Sequence, residues 1–202
     1  MGSADAQTEY CLRIRNRVSS QRTLAIASAL IGLLAACKAQ DPATLEVHAG
    51  SAGKATQADV LAPRYQATLA EGMVLSRRGS PMWLAAVYGL SQQESWGRWT
   101  DGDVVVLRFV RALPRNVSVE LSGGAYGGNI GRPVRLSIGG VIREVVFQRG
   151  PFEGATTVRA SFPNDGDSDT LVVLIPDARP ASATDPRRLG LALTSIRIIG
   201  GG

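Results

Sequence analysis

The chain has 202 residues, of which 45% are apolar and 19% charged. That is enough apolar side chain for a core of its own and too few charges for wholesale disorder. The formal charge is +5, and since residues 1–36 hold four arginines against two acids, +2 belongs to that segment and +3 to the remainder. No basic run with interleaved aromatics follows, which excludes the clustered footprint that nucleic-acid binding requires.

The first element is an address. The basic stretch RIRNR and Arg22 precede TLAIASALIGLLAAC, a positive region followed by about fourteen apolar or small residues. Such a segment is a secretory signal, shorter than the ~20 residues a helix needs to span a bilayer. Its close, Leu34-Ala35-Ala36-Cys37, resembles the bacterial lipobox, in which cleavage precedes a cysteine that then carries lipid. The expectation is a signal peptide over 1–36, lipidation at Cys37 and attachment to a membrane through that lipid. Lys38 stands where lipoproteins retained at the inner membrane carry aspartate, which favours an outer-membrane site facing the periplasm. Cys11 leaves with the signal, so the mature domain has neither thiol nor disulfide, and thiol catalysis and cysteine-ligated zinc are excluded.

Residues 37–71 are rich in Ala, Gly, Thr and Pro, with little apolar periodicity before Val60; they read as a flexible tether. His48, the single histidine, lies in this tether, where nothing packs around an imidazole to orient it for a Ser-His-Asp triad.

A domain over 72–202 follows, made of short β-like runs between turn signals. Ala67 to Leu75 reads as a short helix or an edge strand. Strands are expected at Asp103–Val110, at Val117–Leu121 with Val117, Val119 and Leu121 on one face, and at Val134–Ile138. The Gly139-Gly140 pair turns the last of these into Val141–Phe147 as a two-residue hairpin. Thr157–Phe162 and Thr170–Ile175 come next. In Leu189–Leu193 the apolar phase slips before Ile196-Arg-Ile, which calls for a bulge. With no amphipathic helix between strands, the pattern predicts an all-β fold, an antiparallel β-sandwich of jelly-roll type.

Several stretches carry chemistry-bearing residues. In Glu94-Ser-Trp-Gly-Arg-Trp99, alternation in an extended segment sets Glu94, Trp96 and Arg98 on one face and Trp99 on the other. The stretch reads in two ways. Either a tryptophan with a Glu–Arg pair beside it locks two sheets together, or an exposed ring stacks on the apolar face of a pyranose while charged groups bond its hydroxyls. The glycine-rich loop Ala125–Pro133 offers Tyr126, Asn129 and Arg132 to a ligand, although its glycines also suit tight turns and no helix N-terminus follows to cradle a phosphate. Asp165, Asp167 and Asp169 alternate like the start of a calcium loop, but Thr170 replaces the required glycine and Pro176 the closing glutamate, so they are weak metal candidates. Glu94, Asp101, Asp103, Glu120 and Glu144 could come together in space as the paired carboxylates of a small hydrolase, a third reading, although no spacing recommends any pair for glycoside hydrolysis. No catalytic residue and no cofactor is expected.

Gly89-Leu-Ser-Gln-Gln-Glu-Ser-Trp-Gly-Arg-Trp-Thr, Leu113-Pro, Ala125-Tyr-Gly-Gly-Asn and Asp185-Pro-Arg-Arg-Leu-Gly-Leu-Ala-Leu occur in that order. Over about residues 85–199 this series resembles a β-sandwich domain found at the C-terminus of bacterial phosphoglycerol-transferase-like and glycosyltransferase-like membrane proteins. The resemblance implies an extracytoplasmic accessory module near cell-envelope glycans, with the catalytic chemistry in a separate domain. Its implied partners are envelope polysaccharide or periplasmic glucan and an enzyme that processes it. The alternative is a structural or protein-binding lipoprotein with no carbohydrate site.

Overall fold

The computed structural model describes residues 63–150 and 154–200. The signal segment, Cys37, His48 and the tether up to residue 62 lie outside the described residues. Thirteen strands follow in chain order: β1 Arg64–Tyr65, β2 Met73–Val74, β3 Ser80–Pro81, β4 Leu84–Tyr88, β5 Arg98–Asp101, β6 Val104–Phe109, β7 Val117–Ala125, β8 Pro133–Ile138, β9 Val141–Val146, β10 Thr156–Phe162, β11 Thr170–Leu174, β12 Arg179–Pro180 and β13 Arg188–Gly200. Among the described residues the helical structure is one 3-10 turn, Gly127–Asn129.

Strands β1 and β3 form a separate two-stranded parallel sheet, and two antiparallel sheets hold the other eleven strands. One has the order β4-β6-β11-β8-β9; the other runs β10-β7-β13-β12, with β2 and β5 also paired to β13. The alternation along the chain decides which side chains meet between them. Val105, Leu107, Val134, Leu136, Leu171 and Val173 come from the first sheet, and Val119, Leu121, Leu191, Leu193, Ile196 and Ile198 from the second; all are fully buried in one core. The expected all-β sandwich is therefore the observed one. Trp83 packs against this core, stacked on Phe109 with ring centroids 5.6 Å apart, and its indole N–H donates to the Thr68 carbonyl.

Two local expectations stand on their backbone causes. Gly139 and Gly140 both have positive φ, 56° and 82°, as a tight two-residue hairpin demands, and they join β8 to β9 in the register Ile138↔Val141. The slip of apolar phase in β13 is a register shift against β7 between Leu193 and Ser195. The displaced Thr194 carbonyl accepts the Leu75 N–H instead, so the bulge leaves no buried acceptor idle. Ala67 to Leu75 resolves into a turn and the two-residue strand β2, which pairs with β13 at Ser195↔Val74. Residues 63–71, the end of the expected tether, carry β1, which pairs in parallel with β3. The Ile198 N–H bonds the Leu69 carbonyl and the Leu69 side chain packs against the core, so this segment is held to the sandwich without a strand-like apolar alternation of its own.

The chain passes from sheet to sheet along residues 84–109. Strand β4 belongs to the five-stranded sheet, β5 to the other, and β6 to the five-stranded sheet again. The segment Gly89–Asp103 is this crossing, at the margin of the two layers.

Candidate functional site

The bend before β5 positions the aromatic side chains. The Glu94 N–H bonds the Gly97 carbonyl at 2.8 Å, which turns the chain before it becomes a strand at Arg98. A Cβ at Gly97 would lie 2.2 Å from the Leu193 carbonyl oxygen, so glycine allows the bend to press against β13. Behind it, the Ser91 N–H donates to the Trp99 carbonyl, and the Trp99 N–H donates to the Ser91 hydroxyl. The Thr100 hydroxyl, fully buried, accepts the Leu191 N–H.

This bend corrects the expectation that Trp96 and Trp99 lie on opposite faces. Strict alternation holds only for an unbroken strand, and the chain here is bent at 94–97. The two indoles meet edge to face at a centroid separation of 5.3 Å, and Trp99 meets Tyr126 in the same way at 5.7 Å. Such T-shaped pairs are favourable because the positive ring edge points at the negative face of its neighbour. All three rings are half-buried. The Trp96 indole N–H donates to Glu94 Oε2 at 2.9 Å. Arg98, half-buried, opens β5 opposite Leu193.

The charged partner of Glu94 comes from ninety-three residues away. Arg187 Nη1 donates to Glu94 Oε1 at 3.2 Å, while its Nε and Nη2 grip both oxygens of Asp185 at 2.6–3.1 Å. Asp185 also accepts the Arg187 N–H, and its own N–H donates to the Ser182 hydroxyl. The fork of Arg187 holds the Asp185 carboxyl below the usual aspartate range, and the two carboxylates raise Arg187 further above its already high value. At the next residue, the Arg188 N–H donates to Asp101 and its guanidinium pairs with Asp103 at 2.7 Å. The Glu94–Asp103 stretch and the Asp185–Arg188 stretch are thus stitched together at three carboxylates, Glu94, Asp101 and Asp103.

The remaining sequence candidates fall into three groups. Asn129 is fully buried: its amide donates to the Tyr126 and Asp177 carbonyls, and its oxygen accepts the Asp177 N–H. It is a clamp for the loop that carries Tyr126, and a ligand cannot touch it. Arg132 is exposed at the far end of that loop, 3.8 Å from Asp177 Oδ2. Asp165, Asp167 and Asp169 do not gather: the first two are exposed, while Asp169 sits beside Arg108 and accepts the Thr170 hydroxyl. Among the described residues no three His, Cys, Asp or Glu side chains stand close enough to hold a metal ion.

Of the carboxylates weighed for hydrolysis, Glu94 pairs with Arg187 and Asp103 with Arg188, while Asp101 accepts the Arg188 N–H. Glu120 lies between Arg159 and Arg197, and Glu144 beside Arg135. A general acid at neutral pH needs a carboxyl raised toward neutrality by burial or a like charge; Asp185 moves the other way. What Glu94, Asp185 and Arg187 offer is an array of hydrogen-bonding groups beside half-exposed rings. Asp185 and Arg187 were within a motif legible in the sequence, but their place beside Glu94 depends on a contact no local pattern encodes.

The family model described as "Domain of unknown function (DUF7024)" matches residues 58–200. Phosphoglycerol transferase I of Escherichia coli O139:H28 and that of Shigella boydii serotype 18 are each 29% identical over 140 residues, covering 64% of this chain. The chain spans less than a fifth of those relatives, 18% of their length. A solved family 35 carbohydrate binding module from an environmental isolate aligns with a TM-score of 0.37 and 15% identity, over 56% of this chain and 74% of that one. Among the described residues no helix is long and apolar enough to cross a membrane.

Proposed function

The chain belongs to the family of that domain, and from this premise we propose that its sandwich is a non-catalytic module that binds a neutral, hydroxyl-rich stretch of cell-envelope glycan. The observation that carries the reading is the convergence of Trp96, Trp99 and Tyr126 with Glu94, Asp185 and Arg187 at the sheet margin. The rings present apolar faces to the C–H side of a pyranose, and the carboxylates accept its hydroxyls. Arg187 is engaged by two carboxylates and the Arg188 guanidinium by Asp103 and the Ala178 carbonyl, so this corner has little to offer an anion and acceptors to offer hydroxyl donors.

The relatives' name says that they transfer phosphoglycerol. In this reading the module serves an enzyme that processes the glycan by holding the polymer, while the transfer chemistry lies elsewhere. The lipobox-like segment extends the proposal: Cys37 carries lipid and tethers the domain to the outer membrane on its periplasmic side. Replacement of Cys37 by Ser should then abolish acylation and release the protein from membranes; an unlipidated but membrane-bound wild type would sink the anchor.

Titration of the full chain with neutral glucan oligomers tests the site, read by calorimetry and by tryptophan emission in single-tryptophan replacements. Trp96→Ala should weaken binding about tenfold or more, as loss of a stacking ring does, while Trp83→Phe leaves it unchanged. Binding that is unmoved by Trp96→Ala and Glu94→Gln would overturn the site, and quencher-resistant emission at Trp96 would favour the structural, protein-binding alternative.

A further inference from the structure

A second feature lies beyond the loop that starts at Tyr126. Leu174, Arg135 and Glu144 are cross-strand neighbours in one row over β11, β8 and β9. Val134 and Leu136 flank Arg135 in sequence and point into the core, so this row lies on the outer face of the five-stranded sheet. Above it opens a groove of about 310 Å³, lined by that row together with Arg132, Pro133 and Pro176.

We propose that this groove is a subsite for an oxyanion carried on a polyol, either a phosphoester or a sugar carboxylate. Two guanidinium groups supply the charge, and both hold their present partners loosely. Arg132 stands 3.8 Å from Asp177 Oδ2, an oxygen that accepts no hydrogen bond, because Asp177 bonds Arg179 through Oδ1. Arg135 meets Glu144 at 3.2 Å with the two side chains 54% and 53% exposed. An ion pair so open to water contributes little, so Arg135 exchanges Glu144 for a ligand oxyanion at small cost, and its planar fork suits two oxygens at once. Leu174, Pro133 and Pro176 give an apolar floor for C–H groups, and the displaced Glu144 accepts hydroxyls. Contrast Arg187, whose fork is already taken by two carboxylates.

The seven residues from Tyr126 to Arg132 join the aromatic corner to this groove, a span of at most about 25 Å even if fully extended. Asn129 pins the middle of that loop to Asp177, next to Pro176 of the groove wall. A glycan a few sugar units long therefore reaches both places. The identity of the polyol rests on the glycan reading; the anion site rests on the groove alone.

The test follows the arginine Nε–Hε resonances of the full chain during titration with glycerol phosphate, glucuronate and an uncharged glucose oligomer. Either anion should shift Arg132 and Arg135, with phosphate and carboxylate arms telling which oxyanion is preferred, and added salt should weaken the effect. Arg132→Gln with Arg135→Gln should lower anion affinity about tenfold, whereas Glu144→Gln, which removes the competing carboxylate, should raise it about threefold. Neutral oligomer binding at Trp96 should ignore all three changes. If neither anion moves these resonances, or if Glu144→Gln and the double variant leave affinity alike, the groove is not an anion subsite, whatever happens at Trp96. Loss of the neutral ligand's response alone would instead overturn the glycan reading and leave the anion site standing.

Discussion

Two surfaces of the six-stranded sheet solve the same electrostatic problem with opposite stoichiometry. On its outer face, β10, β7 and β13 place Ser118 against Ser161, Ser122 against Thr157, and Glu120 between Arg159 and Arg197. One carboxylate serves two guanidiniums there, in a flat ladder set by the register Glu120↔Arg159 and Arg197↔Glu120. At the sheet margin one guanidinium, Arg187, serves two carboxylates, Glu94 and Asp185, and half-buried rings stand beside it. The ladder lies on regular strands, where every polar group faces a neighbour at fixed spacing. The corner is made by a bend and a loop, so its groups meet across segments distant in sequence rather than at a fixed strand spacing. Similar residues give a regular ladder in one place and an irregular corner in the other, and the difference is backbone geometry.

The largest effect should come from breaking what gives the corner its loop. Asn129→Ala removes an amide that satisfies two carbonyls and one N–H in a fully buried position. It should cost about 3 kcal/mol in chemical denaturation and weaken glycan binding by freeing Tyr126. Equal stability would mean that the loop is held by other means. A smaller, paired effect sharpens the contrast directly. Arg187→Gln and Glu120→Gln should each cost about 1 kcal/mol, because both networks are partly open to solvent. Only Arg187→Gln should reduce affinity for a neutral glucan; an equal loss in both would erase the distinction between corner and ladder.

The smallest effect is one of pH. Arg187 holds the folded-state pKa of Asp185 below its unfolded value, so the pair's stabilisation is complete above the ordinary aspartate range. It is lost as pH falls through the lower folded value. Acid titration followed at Trp96 and Trp99 should therefore show the corner loosening only below that ordinary range, and Asp185→Asn should remove the step. A step at higher pH in the wild type would contradict the bonding described.

Much of the fold is legible in local patterns. Val117, Val119 and Leu121, Gly139-Gly140, and the slipped phase before Ile196 encode a strand, a hairpin and a bulge through alternation and positive φ, which act over a few residues. Within the site, Glu94, Trp96, Trp99 and Tyr126 stand out for the same reason: each is a residue type whose chemistry is visible by itself. Their arrangement is not. Trp96 and Trp99 meet because Gly97 lets the chain bend against the Leu193 carbonyl, an approach between segments distant in sequence. Asn129 reads as a surface amide and is instead a buried clamp, since its partner Asp177 lies forty-eight residues on.

The sequence by itself determined the class of fold, the chain order of its main strands and a set of candidate side chains, because side-chain alternation and turn chemistry are short-range. Only the tertiary structure decided which of those side chains share a surface, which one is spent inside, and that Arg187 completes the group. Such pairings are set by strand register and by the closeness of backbones far apart along the chain.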